Sequence, residues 1–236
     1  SSLLPDEELL VRRKDSSLKV GSISSFLDAL EGTVEKNRDK VFVSWYDSKG
    51  KMVNSYTFQQ MWEEAGFIAY YLQSEKKLKK GDTVILCYSF GLQFFAAFLG
   101  CLRAGIVAVP IYPPDPKSLD KALGKMNLIC QDSGTKLILI DSKVDRLRLL
   151  GKMNRAFSQK RSPWSMINAE FQVHPKIEKK IEGFCFKNAS ITDTDLAFLQ
   201  YTSGSTGDPK GVMVTYAALF ANVRSTIRNF NQMLDG

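Results

Sequence analysis

A chain of 236 residues, 44% hydrophobic and 24% charged, is long enough for one large or two small domains, and its ordinary globular composition excludes wholesale disorder. The formal charge of +7 suits a polyphosphate or acidic partner, but the basic residues are scattered over Arg12-Arg13-Lys14, Lys76-Lys77-Leu78-Lys79-Lys80 and Lys179-Lys180, which read as solvated faces and not as a nucleic-acid surface. Cys87, Cys101, Cys130 and Cys185 stand among apolar neighbours without a Cys-x-x-Cys pair, so buried thiols in a reducing, cytoplasmic setting are expected; His174, the single histidine, rules out a histidine-rich metal site.

In chain order, residues 1–20 combine Ser, Glu and basic residues with scattered leucines, which predicts a mobile arm without the apolar stretch of a signal peptide. Ile23, Phe26, Leu27, Leu30 and Val34 then recur at helical spacing. Lys40–Tyr46 and Met52–Tyr56 flank a turn at Asp47–Gly50 and predict a hairpin. Thr57 and Gln60 have capping-box spacing and open an amphipathic helix through Met61, Ala65, Ile68, Ala69 and Leu72.

Thr83–Tyr88 and Ile106–Ile111 are short apolar runs of buried-strand type, separated by a helix over Gly91–Arg103. Joining Phe90 to Ile111 as a membrane span is refused by Arg103 inside that window and by breaks at Gly105 and Pro110; no integral membrane protein is expected. Leu119–Asp132 predicts a helix with Gly134 as its C-cap, Lys136–Ile140 a strand, Val144–Phe157 a helix, and Trp164–Asn168 a strand amid basic turns. His174 precedes a proline in a polar segment and reads as a surface loop. Leu196–Tyr201 and Gly211–Thr215 are strands, followed by a helix over Tyr216–Phe230, and no internal repeat is present. Strands alternating with helices predict an α/β fold: a doubly wound, mostly parallel sheet flanked by helices.

Between the last two strands lies Thr202-Ser203-Gly204-Ser205-Thr206-Gly207-Asp208-Pro209-Lys210-Gly211. Its glycines let the backbone turn tightly so that N–H groups can form a nest for anionic oxygens. The hydroxyls add donors, and Lys210 adds a compact positive charge. A flexible linker has similar composition, but a linker is not normally clamped between two apolar strands. The P-loop spacing is absent, because here the lysine follows proline and precedes glycine.

With Tyr201 before it and Val212 after it, this stretch resembles the signature of the adenylate-forming enzymes: acyl-CoA synthetases, fatty acyl-AMP ligases and peptide-synthetase adenylation domains. The order of helix, hairpin and helix opened by Tyr56-Thr57-Phe58 resembles the amino-terminal part of the same superfamily, and Tyr112-Pro113-Pro114 looks more like the fatty acyl-AMP ligase branch. The resemblance implies ATP and Mg²⁺, with Thr202, Ser203, Gly204, Ser205, Thr206 and Gly207 around the β- and γ-phosphates and Lys210 assisting catalysis. It implies a long-chain fatty acid as substrate and possible transfer to an acyl carrier protein, with an acyl-CoA synthetase as the alternative. It also implies that residues 21–236 are the amino-terminal part of an adenylation domain, cut before the acyl-pocket segment, hinge and carboxy-terminal domain, and inactive alone. Where the family often has Ser-His or Thr-His, this chain has Thr215-Tyr216. Tyr216 either packs, at no cost, or contacts substrate and alters specificity; a non-catalytic binding module is the second alternative.

Overall fold

The computed structural model describes residues 23–89, 91–156, 162–175, 186–203 and 209–234. The expected amino-terminal arm and Cys185 lie outside these residues. The chain opens with helix α1 (Ile23–Lys36) and a two-stranded antiparallel sheet of β1 (Val41–Tyr46) and β2 (Met52–Thr57). Helix α2 (Phe58–Tyr70) starts at the predicted capping box: Thr57 Oγ1 accepts from the Gln60 N–H at 3.2 Å, and Gln60 Oε1 accepts from the Thr57 N–H at 2.9 Å. Then follow β3 (Thr83–Cys87), α3 (Leu92–Ala104), β4 (Val107–Ile111), α4 (Leu119–Ser133), β5 (Leu137–Ile140), α5 (Ser142–Ala156), β6 (Glu170–Val173), β7 (Leu196–Ser203), β8 (Pro209–Thr215) and α6 (Tyr216–Leu234). Gly134 caps α4 with φ +67°, as its position after Ser133 predicts.

The main sheet has the order β6-β5-β3-β4-β7-β8, parallel throughout except that β8 runs antiparallel to β7. From β3 the chain passes through α3 to β4 on one side, then through α4 to β5 on the other side of β3, which makes the sheet doubly wound. Alternate residues of each central strand feed two cores. Val84, Leu86, Ala108 and Leu139 pack under α2 and α3, whereas Ile85, Cys87, Val109 and Ile140 pack under α4 and α5. This two-sided burial explains the unbroken apolar runs, at about 1.5–3 kcal/mol for each large side chain removed from water. Burial also pushes the Cys87 and Cys101 thiols up to about 12, so both stay protonated and inert. No helix among the described residues is long and apolar enough to cross a membrane.

Two expectations are corrected. Trp164–Asn168 is not a strand: Pro163–Met166 forms a 3₁₀ turn, and the strand is Glu170–Val173. Pro163 suits the first position of a turn, and Trp164 and Ile167 enter the same core three residues apart, a helical spacing in place of alternation. His174 is not on the surface; it is 4% exposed. Its N–H donates to Ile140 O at 2.7 Å and its ring meets Tyr88 and Glu64, which are 86 and 110 residues away in sequence. Local polarity could not reveal partners so distant.

Candidate functional site

At the carboxyl ends of β3, β4 and β7, where the strand order reverses, a cavity of about 810 Å³ opens. Tyr88 and Ser89 continue β3 into it, and Ile111 to Pro114 continue β4. Phe94 and Phe95 of α3 line one side; Ala122, Lys125, Met126 and Ile129, one face of α4 at helical spacing, line the other. Lys125 is the only charged side chain among the described lining residues. The end of β3 is held by Asp141, whose Oδ2 accepts from the Ser89 N–H at 2.8 Å while Oδ1 accepts from the Val144 N–H at the start of α5.

The two described ends of the stretch read as a phosphate grip, on β7 and β8, reach this cavity. Thr202 lies opposite Lys210 and Ser203 opposite Pro209 in the antiparallel register, and Thr202 and Pro209 line the cavity. Lys210 is exposed. Gly204, Ser205, Thr206 and Gly207, with Asp208, lie outside the described residues. The hairpin register therefore brings the first hydroxyl and the lysine of the motif together beside an apolar chamber.

Motif reading alone missed how this hairpin is braced. Tyr201 lies opposite Gly211, and its hydroxyl donates to Asp132 Oδ2 on α4. Burial, then the Asp132 carboxylate, raises the Tyr201 hydroxyl well above its ordinary range, so it remains a donor. The Tyr201 ring crosses over Gly211: a Cβ there would sit 2.9 Å from Tyr201 Cζ. Gly to Ala within a strand ordinarily stabilises by about 0.5–1 kcal/mol. Gly211→Ala is expected instead to destabilise the chain by about 1–3 kcal/mol in urea unfolding, because the ring cannot move without leaving Asp132. In a Tyr201→Ala background that cost should vanish; a cost that persisted would refute the steric account.

Tyr216 packs. It is fully buried with Leu27, Leu102, Ile191, Ala197 and Phe220, its hydroxyl donates to Leu102 O at 2.8 Å, and it does not line the cavity. Its place is structural, which removes the motive for reading it as a changed substrate contact. Tyr216→Phe is expected to lower unfolding stability by about 1 kcal/mol, the net value of one buried hydrogen bond, while nucleotide binding is unchanged; a binding defect would reopen the question.

The AMP-binding enzyme family model matches residues 30–235. The chain belongs to the AMP-binding enzyme family. Among relatives, this family member is 34% identical over 201 residues to the medium-chain fatty acid acyl-carrier-protein ligase JamA of Moorena producens (strain JHB), a match covering 83% of this chain and 31% of JamA. It is 28% identical over 237 residues to a long-chain fatty acid CoA ligase of Haemophilus influenzae, covering 87% of this chain and 39% of that protein. The crystal structure of a fatty acyl-adenylate ligase from L. pneumophila, in complex with acyl adenylate and pyrophosphate, superimposes with a TM-score of 0.61 at 32% identity over 87% of this chain and 33% of that one. This AMP-binding enzyme chain thus spans between three and four tenths of the length of these relatives.

Proposed function

We propose that this chain contributes to a ligase that activates a fatty acid with ATP the triphosphate grip and, ahead of the acyl-pocket segment that the resemblance expects after residue 236, an apolar chamber that itself receives the alkyl chain. The observation that carries this reading is the adjacency at Thr202, which both lines the apolar cavity and faces Lys210 at the base of the glycine- and hydroxyl-rich loop. A fatty acid and a nucleotide triphosphate are ligands of opposite character, and their reaction requires one site to serve both.

In that reaction a carboxylate oxygen forms a bond to the α-phosphorus while the bond from that phosphorus to the pyrophosphate oxygen breaks. Acyl adenylate and pyrophosphate result. Two anions must meet, so the residues' task is to hold the triphosphate in line and offset the charge developing on the departing oxygens. Thr202, Ser203, Gly204, Ser205, Thr206 and Gly207 would supply hydroxyl and backbone donors, and Lys210 the cation. The chamber formed by Phe94, Met126 and Ile129 would take the alkyl chain and exclude water from the reactive mixed anhydride. Mg²⁺ would add charge neutralisation in this reaction class. Among the described residues no group of three His, Cys, Asp or Glu side chains is assembled for a metal, so no residue is assigned to it.

A carrier-protein thiol is the proposed acceptor, supported by Tyr112-Pro113-Pro114 and by the likeness to JamA. The likeness to the H. influenzae enzyme supports CoA as the second reading. The test is fatty acid-dependent exchange of labelled pyrophosphate into ATP. We expect the chain alone to bind ATP but not to catalyse exchange, since it spans only a third or so of its relatives. Exchange by the chain alone would overturn the requirement for further sequence. In a polypeptide that does catalyse exchange, acyl-CoA formed as readily as acyl adenylate would favour the CoA reading.

A further inference from the structure

The chain's one histidine occupies the centre of a buried polar network behind the cavity wall. His174 Nε2 lies 2.9 Å from Glu64 Oε1 on α2, and Nδ1 lies 2.8 Å from the Tyr88 hydroxyl at the end of β3. The protonation pattern follows from the neighbours. Burial favours the neutral acid at Glu64, but hydrogen bonds with His174 and Tyr56 outweigh it and hold this carboxyl below its ordinary range, so it is an acceptor only. Nε2 must then carry the hydrogen. In the neutral imidazole Nδ1 is a lone-pair acceptor, and Tyr88, kept protonated by burial, donates to it.

Tyr88 is the member of this network that lines the cavity. Its ring meets His174 edge-on at 5.5 Å and Phe94, a cavity residue, at 6.5 Å. The next residue, Ser89, is tied through its N–H to Asp141. Groups from β2, α2 and the end of β6 therefore converge on one wall residue, although an apolar side chain could fill the space without a buried carboxylate. We infer that Glu64 and His174 are positioning residues that lock Tyr88 as a rigid wall of the chamber and so determine which alkyl chains fit. The inference rests on the acyl reading of that chamber.

Two measurements on this chain test it. Nitrogen-resolved NMR of the lone imidazole at pH 8 should show the neutral Nε2–H tautomer, and Tyr88→Phe should shift the Nδ1 resonance. An Nδ1–H tautomer overturns the network. The second measurement titrates dodecanoate and hexadecanoate against the chain and its Tyr88→Phe and His174→Ala variants, with unfolding midpoints recorded in parallel. Release of the wall should change the affinity ratio of the two acids about tenfold, as expected when an apolar pocket gains or loses room for a few methylenes. His174→Asn, which retains an acceptor for Tyr88, should restore most of the ratio. If His174→Ala does not fold, Tyr88→Phe carries the test. Binding with an unchanged ratio in the folded variants overturns the proposal alone. Failure of both acids to bind the unaltered chain overturns the acyl reading, and the proposal falls with it.

Discussion

Lys210→Ala is expected to reduce carboxylate adenylation by about 10²–10³-fold in a polypeptide that carries out the whole reaction, the range seen when one preorganised stabiliser of developing charge is removed. Lys210 is exposed at the first residues of β8, opposite Thr202, and both bracket the loop that Gly204 to Asp208 complete. Its ammonium is a compact point charge on a flexible stem and can follow the triphosphate as charge moves toward pyrophosphate. Lys210→Arg should recover only part of the rate, because a planar fork does not replace a point charge. Single-turnover and steady-state rates distinguish the role. An interaction made only in the transition state lowers kcat and kcat/KM equally, whereas one made equally to bound ATP raises KM alone. An unchanged kcat/KM would remove Lys210 from the chemistry and favour a non-catalytic binding role.

Arg103→Met is expected to lower unfolding stability by about 3–5 kcal/mol, or roughly 6–20 °C in Tm for a chain of this size. Arg103 is 2% exposed. Nε donates to Asn188 Oδ1 at 2.8 Å, one terminal nitrogen to Trp62 O at 2.6 Å and the other to Phe186 O at 2.9 Å, while the guanidinium lies 3.7 Å from the Trp62 ring centre. The truncated side chain leaves these acceptors without their donor and removes the cation–π contact. The Arg103 carbonyl also accepts from the Ala189 N–H at 2.8 Å, so residue 103 anchors the segment that leads into β7. Chemical denaturation reads the effect directly. A loss below about 1 kcal/mol would mean that water replaces the guanidinium without penalty.

Arg103 also marks a boundary of legibility. In sequence it is a charge that spoils a membrane span; in the fold it is a buried clamp on three acceptors. The capping box at Thr57, the C-cap at Gly134 and the apolar runs of β3, β4 and β5 could be read directly, because each depends on contacts within a few residues or on a short unbroken apolar stretch bounded by turn residues. The strand expected at Trp164–Asn168 fails for the same reason: five residues cannot separate a 3₁₀ turn from a strand when both bury apolar side chains.

For this protein, sequence alone determined the α/β alternation, the burial of the central strands on both faces, and the composition of the loop from Thr202 to Gly211. Only the tertiary structure decided that Tyr216 packs, that Tyr201 ties β7 to Asp132 at a separation of 69 residues, and that His174 stands behind the cavity wall with partners 86 and 110 residues away. Helix caps and strand patterns are short-range consequences of backbone hydrogen bonding. Such long-range pairs exist because the order β6-β5-β3-β4-β7-β8 sets remote strand ends side by side, and that order is selected by the packing of whole layers.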